Sequence, residues 1–244
     1  MQRDIDAILH DWDVQPGVTQ ARLVTARDGR NVIQVRLDLG VLQLETEGRP
    51  DGARPHGYTT YFEYLRDLAE RHRDGGREFH LNPSQSAEAD REFVQFFQRR
   101  VAWLALREFD RAIADADHTL AFMDFVRDHA PDDEYRMAHE QFRGFVLFHR
   151  AQAAAALAVE RNDPEAAVDA VHGALETIQR FFTEHGLEDQ IEDDVLVQEL
   201  RKLEQSLRSL HGIEETLHEQ LARAVANEEY EVAARLRDEI RQRR

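Results

Sequence analysis

The chain contains no cysteine, which excludes disulfide frameworks, thiolate nucleophiles and zinc sites built on cysteine pairs. Lysine is nearly absent too: among the 31 Lys and Arg residues, Lys202 is the sole lysine, and it follows Arg201. A phosphate-cradling Gly-x4-Gly-Lys-Ser/Thr loop is therefore ruled out. The few serines never stand in a Gly-x-Ser-x-Gly elbow, and the 12 histidines include no His-Glu-x2-His pair. No apolar run approaches the roughly 20 residues of a membrane-spanning helix, and the longest stretch of low polarity, residues 151–159, is mostly alanine. The N-terminus, Met1-Gln-Arg-Asp-Ile-Asp, lacks the apolar core of a secretory leader. Cytoplasm is the expected compartment.

Acid is abundant: 48 Asp and Glu give a net charge of −17. Phosphate backbones are held by cations that release counterions, and the arginines here do not cluster in sequence, so direct nucleic-acid binding is not expected. With 42% hydrophobic and 32% charged residues the composition is that of an ordinary globular protein.

Three segments follow one another. Residues 1–57 read as a small α/β segment: an amphipathic start, a strand over 21–26, the turn dipeptide Asp28-Gly29, and a second strand in which Ile33, Val35, Leu37 and Leu39 alternate with polar residues. The apolar phase then slips to Leu42 and Leu44, which predicts a β-bulge at Gly40 and one wet sheet face. Residues 58–186 read as helices, beginning with a Thr60/Glu63 capping box and buried Tyr61, Tyr64, Leu65 and Leu68. Within them, the run from Glu108 matches the run from Asp163 at an offset of 55, so Ala112 and Ala167 are expected at helix contacts and Asp115 and Asp169 on wet faces. Residues 190–226 read as one long helix whose leucines (Leu196, Leu200, Leu203, Leu207, Leu210, Leu217, Leu221) form a coiled-coil seam. The fold class expected is mainly α, with a β-hairpin segment at the N-terminus, antiparallel helical hairpins in the middle, and a C-terminal coiled coil ending in a helical hairpin.

That last hairpin is the most specific signal. Leu217, Leu221, Ala224 and Val225 share one helical face, Asn227 suits a tight turn, Glu228 and Glu229 complement the positive end of a second helix, and Arg237, Arg241, Arg243 and Arg244, the last of which lies outside the residues described below, suit its negative end. The run Tyr230-Glu-Val-Ala233-Ala234-Arg-Leu236-Arg237-Asp238-Glu239-Ile240 resembles the UVR motif, first known from the B and C subunits of the bacterial excinuclease and shared with Clp-type ATPases and their regulators. The resemblance implies a protein-protein contact device over about 212–244. It transfers none of the parent activities, since the Walker lysine and the zinc cysteines are missing. The Asp28-Gly29-Arg30 turn and the turns of residues 49–57 are similar to the start of bacterial proteins that also end in this motif. The matched pair in the middle resembles the tetratricopeptide repeat (TPR), although its period is longer than about 34 residues.

Several sites are candidates. Partner-binding residues are expected at Leu217, Leu221, Tyr230, Ala233, Leu236, Arg237 and Ile240. Apolar residues spread round more of the second helix than one neighbour covers, leaving Leu236 and Ile240 to be buried by a partner or a second copy, unless the hairpin folds back on the helical middle. The loop Arg49, Asp51, Arg54, His56 offers two guanidiniums and an imidazole on stiff backbone, a candidate small-anion site, though the same groups could serve the turns themselves. The densest metal candidate, Asp132, Asp133, Glu134, His139 and Glu140, also matches an ordinary helix N-terminus, so no metal, cofactor or catalytic residue is expected. The favoured reading is a non-enzymatic adaptor or regulator contacting another protein or itself, with no direct nucleic acid and no membrane. The alternatives are an accessory excision-repair factor that recruits excinuclease subunits, and a small-anion enzyme or sensor built on the Arg49–His56 loop.

Overall fold

A computed structural model of the chain describes residues 5–243, which divide into two compact units, Met1–Val146 and Leu147–Arg244. The boundaries expected near residues 57 and 186–190 each fall inside a unit.

The first unit opens with a short helix, α1 (Asp6–Leu9), and an antiparallel meander of β1 (Ala21–Thr25), β2 (Asn31–Leu37) and β3 (Gly40–Glu45). Asp28-Gly29 lies in the first turn, as its dipeptide chemistry demands, with Gly29 at φ 87°. The slip at Gly40 is not a bulge. Leu37 pairs directly with Gly40 across the two-residue turn Asp38-Leu39, so the new phase is simply that of the next strand. Nor has β2 a wet face: Val32, Ile33, Gln34 and Val35 are all buried, and Gln34 accepts from the Arg22 guanidinium at 2.8 and 3.0 Å.

Helices α2 (Tyr61–Asp74), α3 (Pro83–Leu106), α4 (Phe109–His129) and α5 (Asp133–Glu140) complete the unit, and α6 (Arg143–Glu160) begins in it. Thr60 caps α2, its Oγ1 accepting from the Glu63 N–H at 3.2 Å, and a full Asn82/Gln85 capping box starts α3. Tyr61, Phe62, Leu65, Phe79, Phe122 and Val126 form a core of stacked and edge-on rings, with Phe62 4.8 Å from Phe122. The sheet is pinned to α3 by Arg99, which donates to the backbone carbonyls of Glu45 and Gly48 and holds Asp115 of α4 with two hydrogen bonds at 2.7 and 2.9 Å. Asp115 is therefore buried and ion-paired, contrary to its expected place on a wet face: periodicity gives the face of a side chain but not the distant Arg99 that it meets.

The second unit contains the rest of α6, then α7 (Pro164–Glu184), α8 (Val195–His211), α9 (Leu217–Ala226) and α10 (Tyr230–Arg243). Ala155, Ala167, Val168, Val171, Ile178, Val197, Leu200 and Leu207 share its core. The seam leucines are thus spent inside the chain, packing α8 on α7, while Leu210 is 78% exposed. The single helix expected over 190–226 is broken. Gly212, at φ 65°, closes α8 in the left-handed region, and Thr216 starts α9 afresh.

The segments matched at offset 55 share one turn. After α3, Arg107 is left-handed (φ 60°), and the N–H groups of Arg107 and Glu108 bond the carbonyls of Leu104 and Trp103 at 3.1 and 3.0 Å. After α6, Asn162 (φ 58°) and Asp163 bond Val159 and Ala158 in the same pattern, at 3.0 and 2.9 Å. These are Schellman closures. Beyond each turn an alanine, Ala112 or Ala167, is wholly buried where the following helix meets its neighbours.

Candidate interaction site

The C-terminal hairpin is built from its caps. Thr216 and Glu219 form a capping box, the Glu219 N–H reaching Thr216 Oγ1 at 3.3 Å and Glu219 Oε2 accepting from the Thr216 N–H at 2.7 Å. At the far end of α9 the chain repeats the turn seen twice above. The N–H groups of Glu228 and Glu229 bond the carbonyls of Val225 and Ala224 at 3.1 and 2.8 Å, and Ala233 is buried one turn further on. The left-handed residue is Glu228 (φ 60°), not Asn227, which keeps φ −86°. The Schellman geometry sets that position by counting from the last helical carbonyls, whatever residue stands there.

Polar side chains tie the hairpin to α7 and α8. The Thr216 hydroxyl, wholly buried, donates to Asp169 Oδ1 at 2.6 Å, and His218 Nδ1 lies 2.6 Å from Asp169 Oδ2. Asp169 is thus engaged rather than solvated as expected. Its partners lie 47 and 49 positions away, out of reach of a periodicity argument. Arg208 of α8 clamps Glu204 at 2.7 Å and Glu219 at 2.5 Å, and His172 of α7 reaches Glu204 at 3.2 Å. Burial by itself would raise the Glu219 carboxyl, but the Arg208 guanidinium and the Thr216 N–H together hold it below its ordinary value. Arg208 is held above its own, chiefly by Glu219. Ligand atoms of His172, Glu204 and Glu219 all lie within 4.8 Å of one another. Arg208 already supplies the positive charge there, and a metal ion would have to displace it.

The expected contact residues divide into two sets. Ala233 is buried, and Leu217, Leu221, Leu236 and Ile240 are half-buried, so the leucine and isoleucine of α10 are less open than its apolar arc suggests. Tyr230 (68% exposed) and Arg237 face solvent, as does Val225 (52% exposed), and Tyr230 and Val225 flank the turn. Residues 215–242 match the family model for the UvrB/uvrC motif. The chain carries a UVR motif. The match begins at the α9 cap and ends within α10, so the motif and the folded hairpin coincide. No curated protein and no solved structure matches the chain.

The Arg49–His56 loop is arranged differently from a ligand cradle. Arg49 is 2% exposed and faces acids: Glu88 at 2.6 Å, Asp51 at 3.4 Å and Glu92 at 3.7 Å, with Gln95 accepting at 3.1 Å. Asp51 accepts from the Ala53 N–H and from Gln95. His56 stacks on Tyr64 at 3.9 Å, and only Arg54 stands exposed and apart. The structure brings Arg49 and Asp51 together and does not converge the two guanidiniums with the imidazole. Among the acids near α5, Asp132 caps the helix, Asp133 pairs with Arg136 and Glu140 with Arg143. The groups that sequence reasoning missed are Asp169, Arg208, Thr216 and Glu219. The Thr216-x-x-Glu219 spacing before an apolar run was a legible sign of two of them. Among the described residues, no helix is long and apolar enough to cross a membrane.

Proposed function

We propose that the chain is a non-enzymatic adaptor or regulator that captures another protein through its UVR hairpin, with α7 and α8 of the same unit as the scaffold that presents it. The observation that carries this reading is the coincidence of the matched motif with a separately capped hairpin whose turn exposes Val225 and Tyr230. Paired apolar side chains held out at a rigid turn suit a contact that excludes water on binding. The hairpin's attachment to α7 and α8 by polar groups also supports it, because such an attachment leaves the turn end of the hairpin free of the core.

The test uses full-length protein carrying Val225→Asp and Tyr230→Asp together. Both side chains are exposed, so the fold measured by circular dichroism should match wild type, while capture of the partner identified by pull-down should be lost, as in a chain lacking residues 212–244. Capture at wild-type affinity by the double variant would refute the proposal. Direct nucleic-acid contact lies outside this reading: with a net charge of −17, duplex DNA should show no gel shift at physiological salt.

A further inference from the structure

Where α7 faces the UVR hairpin a groove of about 580 Å³ opens. Its floor is apolar and shallow, formed by Ala166, Ala170 and Gly173 of α7 and by Leu217, Ala222 and Ile240 of the hairpin. Around it stand five carboxylates, those of Asp163, Glu165, Asp169, Glu176 and Glu219, with His172 and His218, and no lysine or arginine lines it. Arg208, from outside the groove, is paired with Glu219, and Asp169 is bonded to Thr216 and His218, but the acids still outnumber that one guanidinium, so the groove is anionic and attracts cationic side chains.

Gly173 is the informative residue. A glycine inside a helix costs roughly 1 kcal/mol relative to alanine. Among the described residues no close contact accounts for it: a Cβ built at Gly173 meets no atom of them within 4 Å, and its backbone is helical. Ala166, Ala170 and Gly173 lie at i, i+4 and i+7, on one face of α7. Small residues along such a face permit another helix to lie close against it, at the short end of the roughly 8–10 Å range of interaxial distances.

We infer that this groove receives an amphipathic, arginine- or lysine-rich helix of the partner protein. This rests on the reading of the UVR hairpin as a capture module and names the chemistry of what it captures. The apolar stripe of the incoming helix lies on Ala170, Gly173, Leu217 and Ile240, and its flanking cations reach Glu165 and Glu176, which share one face of α7 beside that stripe.

The probe is a fluorescein-labelled helical peptide with leucines at i, i+4 and i+7 and arginines on both flanks, titrated with the full-length protein and followed by anisotropy. The control is the same peptide with every arginine replaced by glutamate. The expected result is binding of the cationic peptide, weakened by added salt, with affinity at least about tenfold lower for the control. Gly173→Leu should lower it by a similar factor. That substitution adds helix propensity in open space, so the variant stays folded and the loss reports a filled groove. Equal binding of both peptides, or unchanged binding by Gly173→Leu, would overturn the inference. So would a concentration-dependent dimer that Gly173→Leu dissolves, because the occupant would then be a second copy. If the inference fails while Val225→Asp with Tyr230→Asp still abolishes partner capture, the proposed function stands with a different seat for the partner. Capture that survives the double variant refutes the proposed function itself.

Discussion

Glu92 on α3 has no exposed surface, yet it is ringed by donors. Its Oε2 accepts from the Tyr61 N–H at 2.6 Å and its Oε1 from the Phe62 N–H at 3.0 Å, with His118 Nε2 at 3.3 Å and Arg49 Nε at 3.7 Å. One carboxylate thus closes the N-terminus of α2 from a different helix and holds the loop that carries Arg49. Glu92→Ala would strand two buried backbone donors and unbalance a buried arginine. At roughly 1–3 kcal/mol for each donor left unpaired, the loss should be about 4 kcal/mol, within the 3–5 kcal/mol typical of breaking a buried ion pair. Both tryptophans, Trp12 and Trp103, belong to the first unit, so fluorescence during urea unfolding reports that unit, and ellipticity reports the whole chain. With a slope of about 2 kcal/mol per molar, the fluorescence midpoint should fall by about 2 M. Glu92→Gln, which keeps one acceptor, should fall between the two. A loss below about 1 kcal/mol for Glu92→Ala would refute the reasoning and return Arg49 to the list of residues free to meet a ligand.

Ala112→Leu and Ala167→Leu should each cost about 1–3 kcal/mol by overpacking, since both alanines are wholly buried. Asp115→Leu should cost about 3–5 kcal/mol by leaving Arg99 buried without its partner, and thermal denaturation checks all three. Glu228→Gly should stabilise the hairpin by about 1 kcal/mol, because glycine takes the left-handed conformation without strain; amide exchange in α10 measures it. The depressed Glu219 carboxyl contributes stability that is present above its ordinary value of 4.5 and is lost as pH falls through its lowered one, so amide exchange should show the tie to α7 and α8 loosening only below about pH 4.5. At the alkaline end, hydrogen bonding to Asp67 raises Tyr58, while burial raises Tyr135 and pushes Tyr61 up to about 12. A raised tyrosine favours the fold below its unfolded value of 10, and that contribution fades as pH climbs through the folded one. Absorbance titration should therefore show these three of the five tyrosines ionising above pH 10 as unfolding begins.

Local chemistry was legible in the sequence. The Asp28-Gly29 turn, the Thr60 cap, the turn within each of the two segments matched at an offset of 55, and the C-terminal hairpin all follow from residues within a few positions of one another, and the structure contains each of them. The misreadings have a shared cause. Gly40 was a strand start, Leu200 and Leu207 pack against α7 within the chain, and Asp115 and Asp169 meet partners from other elements. A period of 3.5 or 3.6 says which face is apolar but not which neighbour covers it, so a seam for a second chain and a seam for α7 read alike. Likewise, the arginine of the Arg49–His56 loop looked free because the carboxylates it meets, on Glu88 and Glu92, lie about forty positions further on.

The turn repeated after α3, α6 and α9 also bears on how the molecule moves. Each hairpin is closed by hydrogen bonds between residues three and five apart, so forming one requires little loop closure. The last of them is tied to α7 and α8 through the side chains of Asp169 and Arg208. Because that tie is polar, whereas α3 and α4 share a buried aromatic core, the C-terminal hairpin should open before they separate, and its amides should exchange faster than theirs.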